Sequence, residues 1–447
     1  MLFKQFVDDD LGCASYLVGC EHAHEAFLVD PAYRIEPYLD AAARLDARIV
    51  RVLETHTHAD HVSGHGRLAL EHGIPVSIHE AAAARYPHDA LEDGQELVCG
   101  SVRLRVLHTP GHRPEHCAFA VVDESRAPEP WLVLTGDSLF VGDAARPDLA
   151  VEAREGAEGL FHSLRRLAEL PDGVEVFPGH VAGSLCGASM SSKPSTTIGF
   201  ERRFNRALTA TGLEEFLAVS LAQPVRPPNL ERIVELNHGP FVGTPPPLVS
   251  LESVPDSACV LDVRSADAYA AGHVHGALNV PVTRSGFGTR AGFVLPSDRP
   301  VALHASSDAE AARAVEKLHA VGFLDLAGVL AAPEADEMME PVELHELERL
   351  LAADAVTLVD VREKGERDGG YIPGSRHIPY RVVRAAAENG LAGDRPVVTI
   401  CESGARAAVA ASVLAAAGVN ARPVLHGGIA DWRARGGETA TFRRCGS

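Results

Sequence analysis
Residues 261–281 (LDVRSADAYAAGHVHGALNVP) align without a gap on residues 359–379 (VDVREKGERDGGYIPGSRHIP). Asp262 and Asp360, Arg264 and Arg362, Gly272 and Gly370, and Gly276 and Gly374 all stand 98 positions apart. Further on, PVALHA (300–305) pairs with PVVTIC (396–401), and Gly322 with Gly418, at an offset of 96. A period this long exceeds the roughly 20–50 residues of solenoid repeats, so it marks a duplicated domain. The C-terminal half is therefore expected to fold as two tandem copies of one small α/β module.

The N-terminal half has a different rhythm. Short β-branched runs at 2–7, 15–19, 25–30, 48–56, 75–80, 102–108, 117–123 and 131–137 alternate with Gly- and His-rich turns and read as strands. Helical patterns occupy 35–45, 65–72, 156–170 and 199–211, which suits a layered α/β body. The segment 239–249 (GPFVGTPPPLV) concentrates proline and glycine and reads as a linker. The expected domains are 1–240, 247–335 and 341–445.

Composition excludes several classes. A hydrophobic fraction of 46% with 23% charged residues is that of folded globular domains, not of a disordered chain. The formal net charge of −20 repels phosphate backbones and anionic lipid. No apolar run reaches the ~20 residues of a membrane helix. The opening MLFKQFVDDD places acids where a signal peptide needs an apolar stretch, so a cytoplasmic protein is expected. Eight cysteines are scattered without a CxxC pair, and most, Cys259 among them, read as small core residues.

Thr55-His56-Thr57-His58-Ala59-Asp60-His61 follows directly on an apolar run. In an extended strand His56, His58 and Asp60 would share one face; in a tight loop His61 could join them on one point. His112 (in TPGH), Asp137 (in TGD) and His180 (in PGH) each follow a further apolar run and sit beside glycine. Loops at the rim of a sheet carry binding groups, so these side chains, recurring at strand ends, point to a metal site. Imidazoles and carboxylates without thiolate suit Zn(II), Fe(II) or Mn(II). Two arrangements fit. In one, His56, His58 and His112 hold one metal, Asp60, His61 and His180 hold a second, and Asp137 bridges them, a pair suited to making hydroxide. In the other, His56, His112 and Asp137 alone hold a single Fe(II) with open positions, and His58, Asp60, His61 and His180 orient the ligands from outside.

This set resembles the metallo-β-lactamase superfamily over residues 1 to about 240. The resemblance implies an αβ/βα sandwich, two sheets with helices outside, holding metal at one edge. Hydrolases and oxygenases share these motifs, so the resemblance does not choose the reaction.

In the second repeat VVTI (397–400) leads into Cys401-Glu402-Ser403-Gly404-Ala405-Arg406 and then a helical run, 407–417. A cysteine at a strand end, facing a helix N-terminus, meets backbone N–H groups and the positive end of the dipole. Such a cradle favours the nucleophilic thiolate and would hold a persulfide anion. Arg406 can close the loop by bonding its carbonyls or a neighbouring carboxylate. With DVR (360–362), GYIPG (370–374) and HGG…W (426–432), the loop resembles a rhodanese domain, a sulfurtransferase. That resemblance implies Cys401 as the nucleophile, the amides of Glu402, Ser403, Gly404, Ala405 and Arg406 as the anion cradle, and Arg406 as its closure. The first repeat reads ASSDAE (305–310) at this point, with Ala305 in the nucleophile's place and Glu310 in the arginine's. It is expected to be a rhodanese-like domain without sulfurtransferase activity, kept for packing or positioning.

The combination resembles the bacterial persulfide dioxygenase–rhodanese fusion proteins, and the run 178–201 looks like that family's substrate-side segment. The resemblance implies one Fe(II) per chain. It also implies that a small-molecule thiol persulfide, such as glutathione persulfide, is oxidised by O2 to sulfite. The rhodanese domain would then move sulfane sulfur among that persulfide, Cys401 and sulfite or thiosulfate. The rival is a thioester hydrolase of the glyoxalase II type, with two metals such as zinc, which leaves Cys401 without a purpose. Partners are expected to be these small molecules, with no nucleic acid and no membrane; a homo-oligomer is left open. Cys186, six residues after His180, is a candidate sulfur relay or a buried structural thiol. Lys193, Arg146 and Arg202 are candidates for contacting a substrate's carboxylates or for solvated surface charge. His65, His79, His108 and His116 are read as structural.

Overall fold
The computed structural model describes residues 1–181, 191–220, 225–331, 333–391 and 395–442. The chain divides into two units, Met1–Pro245 with His319–Gly322, and Pro246–Leu318 with Phe323–Ser447. Among the described residues no helix is long and apolar enough to cross a membrane.

Two six-stranded sheets form the body of the first unit, each with its strands in chain order. One runs from Leu2–Val7 through Ala14–Cys20, Glu25–Val29, Arg48–Leu53 and Val76–His79 to Asp89–Leu91. The other runs from Glu96–Cys99 through Val102–His108, Cys117–Asp123, Leu132–Gly136 and Glu175–Pro178 to Thr196–Thr197. The strands read as continuous apolar runs because both faces of each sheet are covered. Successive side chains of a strand point to opposite faces. Tyr16 and Val18 accordingly meet Phe119 and Val121 between the sheets. Leu17 faces the helices Glu36–Arg44 and His65–His72, where it joins Tyr38 and Leu68. On the other side Ala118 and Ala120 face Ala153–Leu167 and Leu213–Ser220, against Leu160, Leu164 and Phe216. The result is the expected αβ/βα sandwich. Its centre is a cluster of buried apolar side chains, and truncating a ring such as Phe119 to alanine would cost about 3–5 kcal/mol.

Three local expectations are corrected. The pattern at 199–211 is not one helix but two, Ile198–Phe204 and Arg206–Thr209. Asn205 separates them by adopting an extended conformation and accepting the Ala207 N–H with its side chain, a capping role that Asn fills well. The helix expected at 156–170 spans Ala153–Leu167. The strand expected to reach His56 ends at Leu53, which leaves the His-rich segment as a loop.

In the second unit the two repeats build parallel sheets of the same order. The first places Leu278–Asn279, Cys259–Asp262, Val301–His304 and Leu326–Leu330 side by side, with Ser250–Leu251 added at the edge. The second places Arg376–His377, Thr357–Asp360, Val397–Ile400 and Ala421–Pro423 in the matching positions. Asp262 lies opposite His304, and Asp360 opposite Ile400. Helices Asp308–Ala320 and Ala405–Ala416 follow the corresponding third strands. The second begins earlier than the expected 407, so Ala405 and Arg406 lie in its first turn.

Candidate functional site
Residues 54–64 form the loop that leaves strand Arg48–Leu53 for helix His65–His72, and most of its polar side chains are buried. Asp30, with φ of 49°, ends the neighbouring strand; its carboxylate accepts the Thr55 N–H at 2.7 Å and the Thr55 hydroxyl at 2.9 Å. The Thr55 oxygen is then an acceptor for His56 Nδ1–H at 2.8 Å, which leaves His56 Nε2 free. His112 is set the same way, since its Nδ1–H donates to the Arg146 carbonyl at 3.0 Å. Its Nε2 lies 3.6 Å from Asp137 Oδ2. The close approach depends on glycine at two places. A Cβ at Gly179 would lie 2.5 Å from Asp137 Oδ1, and one at Gly136 would lie 2.7 Å from His116 Nε2.

The His-rich segment does not converge on one point. Donor atoms of His56, His112 and Asp137 gather within 4.8 Å of one another, and those of His58, Asp60 and His61 form a separate group of the same size. His180 lies between two carboxylates, with Nδ1 2.8 Å from Asp137 Oδ1 and Nε2 2.6 Å from Asp60 Oδ2. His58 Nε2 faces Glu54 Oε2 at 3.1 Å and Asp30 Oδ1 at 3.3 Å. Glu54 also accepts from Ser63 Oγ at 2.6 Å and His65 Nδ1 at 3.0 Å.

Charge follows from these contacts. Burial, then the neighbouring imidazoles, hold His56 well below the ordinary histidine range, so its ring is neutral and able to coordinate. Burial opposes charge on His180, yet Asp137 and Asp60 outweigh it and raise the ring to about 10. Burial likewise opposes ionisation of Asp137, but His180 and His112 hold its carboxyl below the usual range.

Among the described residues, three buried atoms in these groups have no hydrogen-bond partner: Asp137 Oδ2, His58 Nδ1 and His61 Nε2. An unsatisfied buried polar atom costs about 1–3 kcal/mol. All three lie on metal-binding residue types, Asp137 Oδ2 in one donor group and the two imidazole nitrogens in the other, and a cation in either group would satisfy the atoms there.

In the second unit Cys401 is buried at the end of strand Val397–Ile400, and helix Ala405–Ala416 starts four residues later. Gly404 has φ of 80°, and a Cβ there would lie 2.0 Å from the Leu425 carbonyl oxygen, so the loop needs glycine. Arg406 closes on a carboxylate rather than on loop carbonyls, donating from Nη1 and Nη2 to Glu366 at 2.6 and 2.7 Å. The Glu402 side chain is turned out of the cradle, accepting from Ala430 N at 3.1 Å and Arg362 Nη1 at 3.2 Å. In the first repeat Glu310 is buried, and its carboxylate accepts the Ser306 N–H at 2.6 Å. That loop therefore holds an anion of its own.

The expected substrate contacts fare differently. Arg146 is not surface charge: it is buried and paired with Asp148 at 2.8 and 3.0 Å. Arg202 is exposed and held by Asp172 at 2.8 Å and by the carbonyls of Leu170 and Ala168, an arrangement that suits the surface-charge alternative. Lys193 is exposed, and Cys186 lies outside the described residues. Sequence reasoning passed over Asp30 and Glu54, whose one signal is a lone acid closing an apolar strand. His116, read as structural, is buried and accepts the Asp137 N–H through Nε2 at 2.9 Å.

Residues 8–180 match the family model described as Metallo-beta-lactamase superfamily, and residues 250–331 and 343–435 match that of the Rhodanese-like domain. A solved metallo-beta-lactamase from Staphylococcus aureus is 30% identical, with a TM-score of 0.69, over 74% of this chain and 98% of that one. The chain belongs to the metallo-β-lactamase superfamily. Rhodanese-like domains are fused to it in the same polypeptide. Mitochondrial persulfide dioxygenase ETHE1 of Bos taurus is 29% identical over 252 residues, 55% of this chain and 91% of the relative. A hydroxyacylglutathione hydrolase of Gloeobacter violaceus is 35% identical over 169 residues, 37% of this chain and 62% of the relative. The metallo-β-lactamase domain is a metal-binding fold, and the chain is an enzyme.

Proposed function
We propose that the metallo-β-lactamase domain is a persulfide dioxygenase with one Fe(II) on His56, His112 and Asp137, and that the second rhodanese-like domain is a sulfurtransferase acting through Cys401. The observation that carries this reading is the tautomer of the two imidazoles. Thr55 and the Arg146 carbonyl occupy both Nδ1 atoms, so two Nε2 atoms and the unpartnered Asp137 Oδ2 remain to act together. Two imidazoles and one carboxylate are the donor set of oxygen-activating Fe(II). Bound there, the metal supplies the redox chemistry between O2 and sulfane sulfur. His180, held by Asp60, fixes the Asp137 carboxylate so that Oδ2 faces the site. The overall reaction is RSSH + O2 + H2O giving RSH, sulfite and two protons. At the rhodanese loop the Cys401 thiolate attacks the outer sulfur of thiosulfate, the S–S bond breaks, sulfite leaves, and the sulfane sulfur stays on Cys401 as a persulfide anion. A thiol then takes that sulfur and restores the thiolate. The similarity to a persulfide dioxygenase along most of that relative's length supports this reading.

The unpartnered His58 Nδ1 and His61 Nε2 favour a second reading, a two-metal thioester hydrolase, which the hydroxyacylglutathione hydrolase similarity also supports. Anaerobic metal counting followed by an oxygen-electrode assay with glutathione persulfide separates the two. One iron per chain and O2 uptake are expected. Two zincs with hydrolysis of an acyl-glutathione and no O2 uptake would overturn the proposal.

A further inference from the structure
Two adjacent residues that belong to no ligand set each take a backbone N–H from a loop carrying a ligand. Glu115 Oε1 accepts the Thr57 N–H at 3.1 Å, one residue after His56, and is itself held by Arg113 Nε at 2.7 Å. His116 Nε2 accepts the N–H of Asp137 at 2.9 Å. Both side chains are buried, His116 completely. The loop that bears them also bears His112 and is closed on itself: Thr109 N donates to the His116 carbonyl at 2.8 Å, and His116 Nδ1 bonds Thr109 Oγ1 at 2.8 Å. A further bond from Cys117 N to the Thr55 carbonyl, at 2.8 Å, ties the same loop to the His56 loop.

We propose that Glu115 and His116 are positioning residues that lock the His56, His112 and Asp137 loops to one another, so that the three donors are in place before a metal arrives. This rests on the metal reading above. The His116 ring lies 5.2 Å from that of His56, centroid to centroid, yet it is not a ligand. Its Nε2 lone pair is used by the Asp137 amide, and its Nδ1 proton is used by Thr109. Gly136 makes the contact possible, because a Cβ there would sit 2.7 Å from His116 Nε2. The ring therefore fixes the backbone of Asp137 while His180 fixes its side chain, and together they set where Oδ2 points. Partners of this kind, one bond removed from a metal ligand, typically change metal affinity by about 10- to 100-fold when removed.

The test uses the full chain, stripped of metal and titrated anaerobically with Co(II) against a competing chelator, reading both the dissociation constant and the visible d–d absorption. His116→Leu removes the acceptor and is expected to weaken Co(II) binding by about 10- to 100-fold and to alter the band. His116→Gln keeps an acceptor at the same reach and is expected to restore affinity and band. Thr109→Val, an isosteric change gentle on folding, releases the ring's Nδ1 and is expected to weaken binding by about tenfold. Thermal midpoints of the metal-free variants accompany each titration, because a merely structural role would lower stability in the Leu and Gln variants alike while leaving affinity and band unchanged. Unchanged Co(II) affinity in the Leu and Val variants, or equal loss in Leu and Gln, would overturn the proposal. Failure of the unsubstituted chain to bind Co(II) at all would instead overturn the metal reading beneath it.

Discussion

Replacing Arg362 by methionine should destabilise the second rhodanese-like domain more than any single surface change. The Arg362 and Asp360 side chains are 4% and 0% exposed. Arg362 Nε and Nη2 donate to the two Asp360 oxygens at 3.0 and 2.8 Å, and Nη2 also donates to the Gly370 carbonyl at 2.6 Å. Methionine retains most of the apolar stem but leaves the Asp360 carboxylate buried without its partner. Breaking a buried pair from one side costs about 3–5 kcal/mol, so a loss near 4 kcal/mol, roughly a thousandfold in the folding equilibrium, is expected. The same change frees Glu402, which Arg362 Nη1 holds beside the Cys401 loop. The chain has two tryptophans, and Trp131 is exposed whereas Trp432 is buried in the second unit. Urea unfolding followed by fluorescence in a Trp131→Phe background therefore reports on Trp432 alone. Adding Asp360→Asn to the methionine variant removes the stranded charge and should recover part of the loss. A cost below about 1 kcal/mol, the range of exposed pairs, or a double variant no more stable than the single, would refute the reasoning.

Gly404→Ala forces a Cβ to within 2.0 Å of the Leu425 oxygen at a positive φ; thiosulfate-dependent transfer should collapse, with a stability loss of at least about 1–3 kcal/mol in the same urea assay. Ala305→Cys, made in a Cys401→Ser background, should gain no sulfane adduct with thiosulfate by intact-mass spectrometry, because Glu310 already occupies the Ser306 N–H. Asp137→Ala should abolish metal retention and O2 uptake while leaving transfer through Cys401 intact; loss of both activities would show that the two chemistries are not separable.

The architecture was legible because each candidate ligand follows an apolar run. A run buried on both faces must be an inner strand, and the polar residue that ends it must lie at the sheet's rim, which is how His56, His112, Asp137 and His180 could be placed. The duplication was legible for a simpler reason, a constant spacing between Asp262-Val263-Arg264 and Asp360-Val361-Arg362. What local pattern could not reveal was how the His-rich loop divides. That depends on Asp30 and Glu54 claiming His58 Nε2, and these bonds are set by tertiary approach rather than by spacing. The partner of Arg406 is hidden in the same way, since Glu366 lies forty residues upstream. Asn205 was misjudged because helical periodicity continues across it, and only its side-chain cap on Ala207 N breaks the run.

Glu310 folded back onto Ser306 N gives the duplicated half an asymmetry of valence. Two look-alike folds stand in tandem, but one supplies its own counter-anion, so only the other offers a vacancy to a sulfur oxyanion. Under the proposed function, thiosulfate should accordingly saturate the polypeptide at a single equivalent, with the Cys401 loop alone of the two exchanging sulfane sulfur.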